Sequence, residues 1–186
     1  SVAMTASVPA ASVYAGEKSE RVVSESKDRA GQVFKVTAKP VEEEYDGKEY
    51  ETQLEITRDA TSTFTCRIQY STDGGKTYTE ESPRFKNVAR DANGAVTSYN
   101  VDYIVSAKNY EPIKGSTTVT IKPKPIQVSG IEAKDKTYDG TTQADLIYDK
   151  LSLSGKLNSD ELTLKATGAF SDKNAGDNKI VTVSNM

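Results

Sequence analysis

The side chains that most often carry out acid–base or nucleophilic chemistry are scarce in this sequence. Histidine is absent, which removes the commonest general base and the commonest imidazole ligand of metals. The one cysteine, Cys66, alternates with Phe64, Ile68 and Tyr70 in a strand-like pattern, so we predict a buried, unreactive thiol. A single cysteine also rules out a disulfide within the chain.

Carboxylates are plentiful, but their spacing does not suit catalysis. Glu42, Glu43 and Glu44 are consecutive, so on a strand their side chains point to alternate faces and do not converge on one bond. Residues 91–94 and 172–177 offer oxygen ligands, yet neither stretch has the spacing or the closing glutamate of a calcium loop. We therefore predict turns there, no metal, no cofactor and no catalytic residue. The chain is predicted not to be an enzyme.

Tyrosine is the remaining side chain that could recognise a ligand. The chain has ten tyrosines and no tryptophan, and an aromatic ring can stack on the apolar face of a sugar. Most of these tyrosines lie on predicted inward faces or in a repeated motif. The candidate surface contacts that remain are Tyr50, Tyr78 and Tyr110.

Strands are the elements that must position these residues. Apolar and polar residues alternate over residues 64–70 and 99–107, which is the period of a half-buried strand. Residues 117–121 are β-branched and end at the alternating prolines of residues 122–125, which cannot donate to a sheet ladder, so we predict a domain boundary there. Further predicted strands are 34–38, 126–131, 151–153, 162–166 and 180–183, and residues 143–150 are predicted as a short helix or a strand.

The predicted fold class is therefore all-β, with two small tandem antiparallel domains that are immunoglobulin-like sandwiches or β-grasp-like. The length of 186 residues suits two such domains. We assign the first domain to residues 33–123 and the second to residues 124–186. The second domain is predicted to be incomplete, because no terminal strand in it matches residues 117–121. Residues 16–32 are charged and lack an apolar stripe, which predicts a linker or a weak helix.

The first sixteen residues are uncharged, small and apolar. Small residues at Val13 and Ala15 suit a signal peptidase that cuts before Gly16. We interpret residues 1–15 as the remnant of a signal peptide, with a disordered Ala/Ser/Val leader as the alternative. No run of about 18 apolar residues is present, so no membrane span is predicted.

A tripeptide repeats at the distance of one domain. Tyr45-Asp46-Gly47 and Tyr138-Asp139-Gly140 begin 93 residues apart (138 minus 45), each a few residues into its predicted domain. Aspartate and glycine are typical turn residues, so we predict that each tyrosine packs while Asp-Gly turns the chain. We assign these six residues a structural role.

Around these motifs the chain resembles the tandem repeats of Gram-positive and other bacterial surface proteins known as MBG and YDG domains. The resemblance to YDG domains is carried by the sequence letters KTYDGTT (136–142), LSG (153–155), DELTL (160–164) and FSDKNAG (170–176). The resemblance to MBG-type or immunoglobulin-like repeats is carried by YDGK (45–48), YSTDGGKTY (70–78), NY (109–110) and GSTTVTI (115–121).

This resemblance implies a rod of repeats that projects from a bacterial cell wall. The expected function is a non-catalytic stalk or spacer of a secreted adhesin, located at the cell surface. The alternatives are a carbohydrate- or host-protein-binding module and the accessory domains of a large secreted enzyme. Expected partners are host or cell-wall glycans or proteins. Nucleic acid is not expected, because 27 acidic and 24 basic residues are mixed along the chain and leave no basic face. A monomer is expected.

Overall fold

The computed structural model describes the backbone of residues 4–6 together with residues 20–27, 33–58 and 64–184. These residues form strands and turns and no helix, which confirms the predicted all-β class. The chain divides between Pro123 and Lys124, at the alternating prolines. We call the part that ends at Pro123 the N-terminal unit. The part that starts at Lys124 is the C-terminal unit, and the strand Met4–Ala6 groups with it.

Two sheets make up most of the N-terminal unit. One has the strand order β4-β12-β11-β7 and the other has the order β2-β3-β6, while β5 pairs with β8 and β9 with β10. Counting Met4–Ala6 as β1, the strands are β2 (Val22–Lys27), β3 (Val33–Lys39), β4 (Val41–Glu44), β5 (Tyr50–Glu51), β6 (Gln53–Arg58), β7 (Cys66–Ser71), β8 (Arg84–Phe85), β9 (Ala89–Arg90), β10 (Val96–Thr97), β11 (Tyr99–Ala107) and β12 (Ile113–Lys122).

The core of the N-terminal unit lies between these two sheets. Phe34 and Val36 of β3 pack in one buried cluster with Tyr103 and Val105 of β11 and with Ile113 of β12. Side chains from both sheets thus share one interior, which defines a two-layer sandwich. The same cluster takes the alternate residues of β7 on its margin, so the predicted inward faces of both alternating segments are confirmed.

Between β3 and β4 the chain passes from the three-stranded sheet to the four-stranded sheet. Pro40 alone separates β3 from β4, so the chain keeps its direction while it moves to the other sheet. There β4 pairs in parallel with β12, with Val41 opposite Val119. These two valines and Ile121 form a second buried cluster, which closes this end of the sandwich.

The C-terminal unit is built from shorter ladders. Besides β1, its strands are β13 (Gln127–Ser129), β14 (Glu132–Ala133), β15 (Gln143–Ala144), β16 (Leu146–Ile147), β17 (Ser152–Ser154), β18 (Thr167–Phe170) and β19 (Val181–Ser184). Its largest sheet has the order β1-β19-β18-β15, and β13 pairs with β17 and β14 with β16. Val181 and Val183 of β19 are fully buried.

The structure differs from the predicted linker at residues 22–27, which form β2. Six residues of β2 pair with β3 in an antiparallel ladder. Val22 and Val23 are adjacent and both 49% exposed, and Ser26 is the buried residue. The strand is therefore held by backbone pairing and not by an apolar face, so alternation could not reveal it. The predicted cleavage residues Val13 and Ala15 lie outside the described residues.

One predicted element of the C-terminal unit needs correction, and at a second the strand alternative is confirmed. Residues 162–166 are not a strand; the ladder with β19 is formed by Thr167–Phe170 instead. A Cβ at Gly168 would lie 2.9 Å from the Ala144 carbonyl oxygen, so glycine allows β18 to approach its neighbour. Because glycine is rare in strand interiors, the pattern misplaced this strand. The segment 143–150 contains two short strands and no helix.

Candidate functional site

The first repeated motif forms a turn that is closed by its own aspartate. The backbone N–H of Lys48 donates to Asp46 Oδ1 at 2.9 Å, and the Lys48 ammonium lies 2.9 Å from Asp46 Oδ2. Hydrogen bonds from Lys48 hold the pKa of Asp46 down at about 2. Gly47 has a φ of 79°, a conformation that glycine adopts without the Cβ penalty. The predicted Asp-Gly turn is therefore present.

The second motif repeats this design with a different lysine. The Thr141 backbone N–H and hydroxyl both donate to Asp139 Oδ1 at 2.9 Å. The Lys136 ammonium lies 2.9 Å from the same oxygen, and it also donates to the Thr141 hydroxyl and to the Gln143 carbonyl. Hydrogen bonding from Lys136 is the main cause that lowers the pKa of Asp139 to about 2. Gly140 has a φ of 75°.

The tyrosines of the two motifs lie in opposite environments. Tyr45 packs half-buried against the second core cluster of Val41, Val119 and Ile121. Tyr138 is 64% exposed, and the hydrogen bonds that close its turn do not include its hydroxyl. The prediction that the motif tyrosine packs on a core thus describes Tyr45 and is wrong for Tyr138. The turn at residues 136–141 is held by Lys136, so Tyr138 is not needed for packing.

Tyr138 stands at a cleft of about 560 Å³ in the C-terminal unit. The walls are the second motif turn and the loop between β18 and β19. In that loop the Lys179 ammonium donates to Asp172 Oδ1 at 2.6 Å, and the Asn174 backbone N–H donates to the same oxygen at 2.8 Å. The pKa of Asp172 is lowered, first by the bond from Lys179. Each wall is thus fixed by one lysine–aspartate pair.

Phe170 and a lysine form a further contact in this cleft. The Lys136 ammonium lies 5.7 Å from the centroid of the Phe170 ring, within the range of a cation–π contact. The backbone N–H of Phe170 also donates to the Thr142 carbonyl at 2.7 Å. These contacts join the motif turn to β18. Sequence reasoning placed Asp172 in a turn and used Lys136 and Phe170 only as letters of the YDG motif. It did not predict their contacts, although the spacing of Lys136 three residues before Asp139 was a usable signal for an ion pair.

The three candidate contact tyrosines lie apart from this cleft, in the N-terminal unit. Tyr50 is half-buried beside the second core cluster, and burial is the first cause that raises its pKa. The Tyr78 hydroxyl lies over Gly75, 3.1 Å from the position of a Cβ there. Tyr110 packs edge-on against Phe34 with ring centroids 5.0 Å apart. The structure does not bring the three together, and a ligand role for them stays a prediction.

The hairpin after β7 is a self-contained loop. Asp73 Oδ1 accepts the backbone N–H groups of Lys76 and Thr77 at 2.9 and 3.0 Å and the Ser71 hydroxyl at 2.7 Å. The Thr77 hydroxyl donates to Asp73 Oδ2 at 2.6 Å. Bonds from Thr77 are the main cause that lowers the pKa of Asp73. This carboxylate is used entirely in closing the loop.

Metal-ligating side chains do not converge in the described part of the chain. Within residues 20–27, 33–58 and 64–184, no three Cys, Asp or Glu side chains are arranged to hold a metal ion. Glu42 is exposed and pairs with Lys122 at 2.7 Å, and Cys66 is half-buried at the edge of the core. No helix among these residues is long and apolar enough to cross a bilayer.

Fold and site together define a chain of two small β units whose repeated Asp-Gly turns are closed by lysine. Residues 122–186 match the family model of the YDG domain, so this part of the chain is similar to YDG domains. Since YDG domains are related to MBG-type repeats, this match agrees with the resemblance seen in the sequence. Comparison with curated proteins and with solved structures found no match.

Proposed function

We propose that this chain is a non-catalytic repeat region of an exported bacterial cell-surface protein, where it acts as a stalk or spacer and takes part in adhesion. The match of residues 122–186 to the YDG model supports the repeat character, and the resemblance to repeats of bacterial surface proteins supports export. The physical requirement on such a spacer is that each unit resists a pull along the chain. In this chain the resistance must come from hydrogen-bonded ladders, because one cysteine allows no internal disulfide.

The observation that carries the proposal is the parallel ladder between β4 and β12. Val41 lies opposite Val119 and Glu44 opposite Lys122, and the Tyr45 backbone N–H donates to the Lys122 carbonyl at 2.8 Å. A pull that separates the start of β3 from the end of β12 draws these two strands past each other. All the bonds of the ladder are then loaded together and not one at a time. This is the arrangement expected of a load-bearing unit.

Single-molecule force spectroscopy on the full chain, held between reference domains, tests the spacer role. Because the Tyr45 N–H faces β12, alternation places the Glu43 N–H on the same side. Glu43→Pro removes that donor and is expected to lower the rupture force of the N-terminal unit. Glu42→Pro is the matched control, since the Glu42 N–H faces away from β12 and only an exposed ion pair to Lys122 is lost. Equal rupture forces in the two variants would contradict the proposal.

Export is tested separately. Antibodies raised against the purified chain should label intact cells of the source bacterium, and protease added to intact cells should remove the signal. Labelling that requires permeabilised cells would contradict surface location while leaving the mechanical result untouched.

A further inference from the structure

The cleft of the C-terminal unit combines an exposed aromatic ring with fixed polar walls. Tyr138 has the largest exposed fraction, 64%, among the exposed large hydrophobic side chains of the described residues. It lines a cleft of about 560 Å³. Exposure of a large ring costs free energy in water, and the Asp139 turn closes without it. The ring is therefore better explained by contact with a ligand than by folding.

The walls of the cleft are preorganised. Lys136 has two oxygen acceptors on the motif turn and a third on β15, the Gln143 carbonyl. Lys179 reaches Asp172 by passing over Gly176, where its Cε lies 3.2 Å from the position of a Cβ. A side chain at Gly176 would obstruct that path. Because these contacts hold both loops before any ligand arrives, binding would lose little conformational entropy.

The charges of the cleft nearly cancel. Its lining contains four aspartates and three lysines, a formal sum of −1. Two of the lysines are already paired with Asp139 and Asp172. Lys173 and Asp177 are exposed beside them, so the surface offers both donors and acceptors. An anion finds no unpaired basic cluster here, and a metal ion finds no group of three converging ligands.

We propose that this cleft binds a neutral oligosaccharide, with the Tyr138 ring stacked on the apolar face of one sugar residue. A sugar supplies hydroxyl groups that both donate and accept hydrogen bonds, which matches the mixed walls, and C–H groups that pack on an aromatic face. Lysine and aspartate side chains of the two loops position the hydroxyl groups. The proposal adds a ligand to the C-terminal unit and does not depend on the role of the chain as a spacer.

The test is a ¹H–¹⁵N NMR titration of the full chain with three soluble probes: hexasaccharides of β-1,4-linked glucose, N-acetylglucosamine and mannose. We expect at least one to shift the amides of Tyr138, Gly140 and Gly176. Tyr138→Ala should weaken that binding about tenfold or more, which corresponds to about 1.4 kcal/mol. Tyr138→Phe keeps the stacking surface and should bind within about threefold of the wild type.

The matched control is Tyr148→Ala, which removes a tyrosine that is 37% exposed in the same unit but outside the cleft. It should bind like the wild type. The proposal is wrong if none of the three sugars shifts these amides, or if Tyr148→Ala weakens binding as much as Tyr138→Ala. It is also wrong if inorganic phosphate or calcium chloride produces the same shifts. None of these results would bear on the rupture force of the N-terminal unit.

Discussion

Gly115 and Tyr103 face each other across the centre of the N-terminal unit, and substitution of the glycine tests the packing directly. The two residues are paired on β12 and β11. A Cβ at Gly115 would lie 2.3 Å from the Tyr103 hydroxyl oxygen and 2.5 Å from Cζ, whereas nonbonded carbons prefer about 3.5–4.0 Å. Tyr103 is 1% exposed, so its ring has no free space to enter. Gly115→Ala must therefore displace packed neighbours.

Overpacking of a core costs about 1–3 kcal/mol, and the gain of about 0.5–1 kcal/mol from replacing a strand glycine offsets part of it. We expect a net loss of about 1 kcal/mol in the free energy of unfolding. For a unit of this size, that lowers the melting temperature by roughly 5 °C. Differential scanning calorimetry of the full chain, followed by urea unfolding monitored by circular dichroism, measures both quantities.

A double-mutant cycle isolates the contact. Tyr103→Leu shortens the side chain, so Gly115→Ala should be slightly stabilising in that background, with a coupling energy of about 2 kcal/mol that equals the cost of overpacking. Tyr103→Phe retains Cζ and should not relieve the clash. By itself Tyr103→Phe should be neutral or stabilising, since the Tyr103 hydroxyl is buried without a hydrogen-bond partner among the described residues. Additive effects of Gly115→Ala and Tyr103→Leu would refute this account of the packing.

Three further outcomes are expected. Phe34→Ala removes a ring that is fully buried and should lower the free energy of unfolding by about 3–5 kcal/mol, measured by urea unfolding, with the exposed Val23→Ala as a nearly neutral control. Lys136→Met should raise the pKa of Asp139 from about 2 toward 3.8, measured by NMR titration of the carboxyl carbon; an unchanged pKa would contradict the role of Lys136. Because the pKa values of Asp46 and Asp139 are both lowered to about 2, both turns should be fully stabilised above pH 4 and lose that stabilisation as the pH falls toward 2. Thermal unfolding across this range measures the loss, which should shrink in the variant Asp46→Asn.

The sequence was most informative where one face of a strand meets a core. In β11 the buried residues Val101, Tyr103 and Val105 alternate with less buried ones, so period two predicted both the strand and its inward face. The chain divides between Pro123 and Lys124, where prolines that lack backbone donors end the ladder of β12. Both signals, alternation and proline, are local in the sequence. Alternation reports directly that one face of a strand is buried.

The remaining features depend on contacts between distant residues. Pairing with β3 creates β2, whose exposed Val22 and Val23 carry no period-two signal. The environments of Tyr45 and Tyr138 differ although the motif letters agree, because Tyr45 lies beside a core built partly by β12 and Tyr138 does not. Lys179 and Asp172, which also pair, lie seven positions apart in the loop between β18 and β19. Identity of residues in a motif therefore predicted the turn but not the surroundings of its tyrosine.

The antiparallel pairing of β2 with β3 predicts a two-stage response of the N-terminal unit to tension. Val22, at the start of β2, lies opposite Ala38 near the end of β3, so a pull on the preceding chain peels β2 away pair by pair. Its release adds the contour of residues 22–32, about 36–40 Å, before the ladder between β4 and β12 carries the load. Under increasing tension the N-terminal unit would first lengthen as β2 detaches. It would then resist further extension through the ladder between β4 and β12.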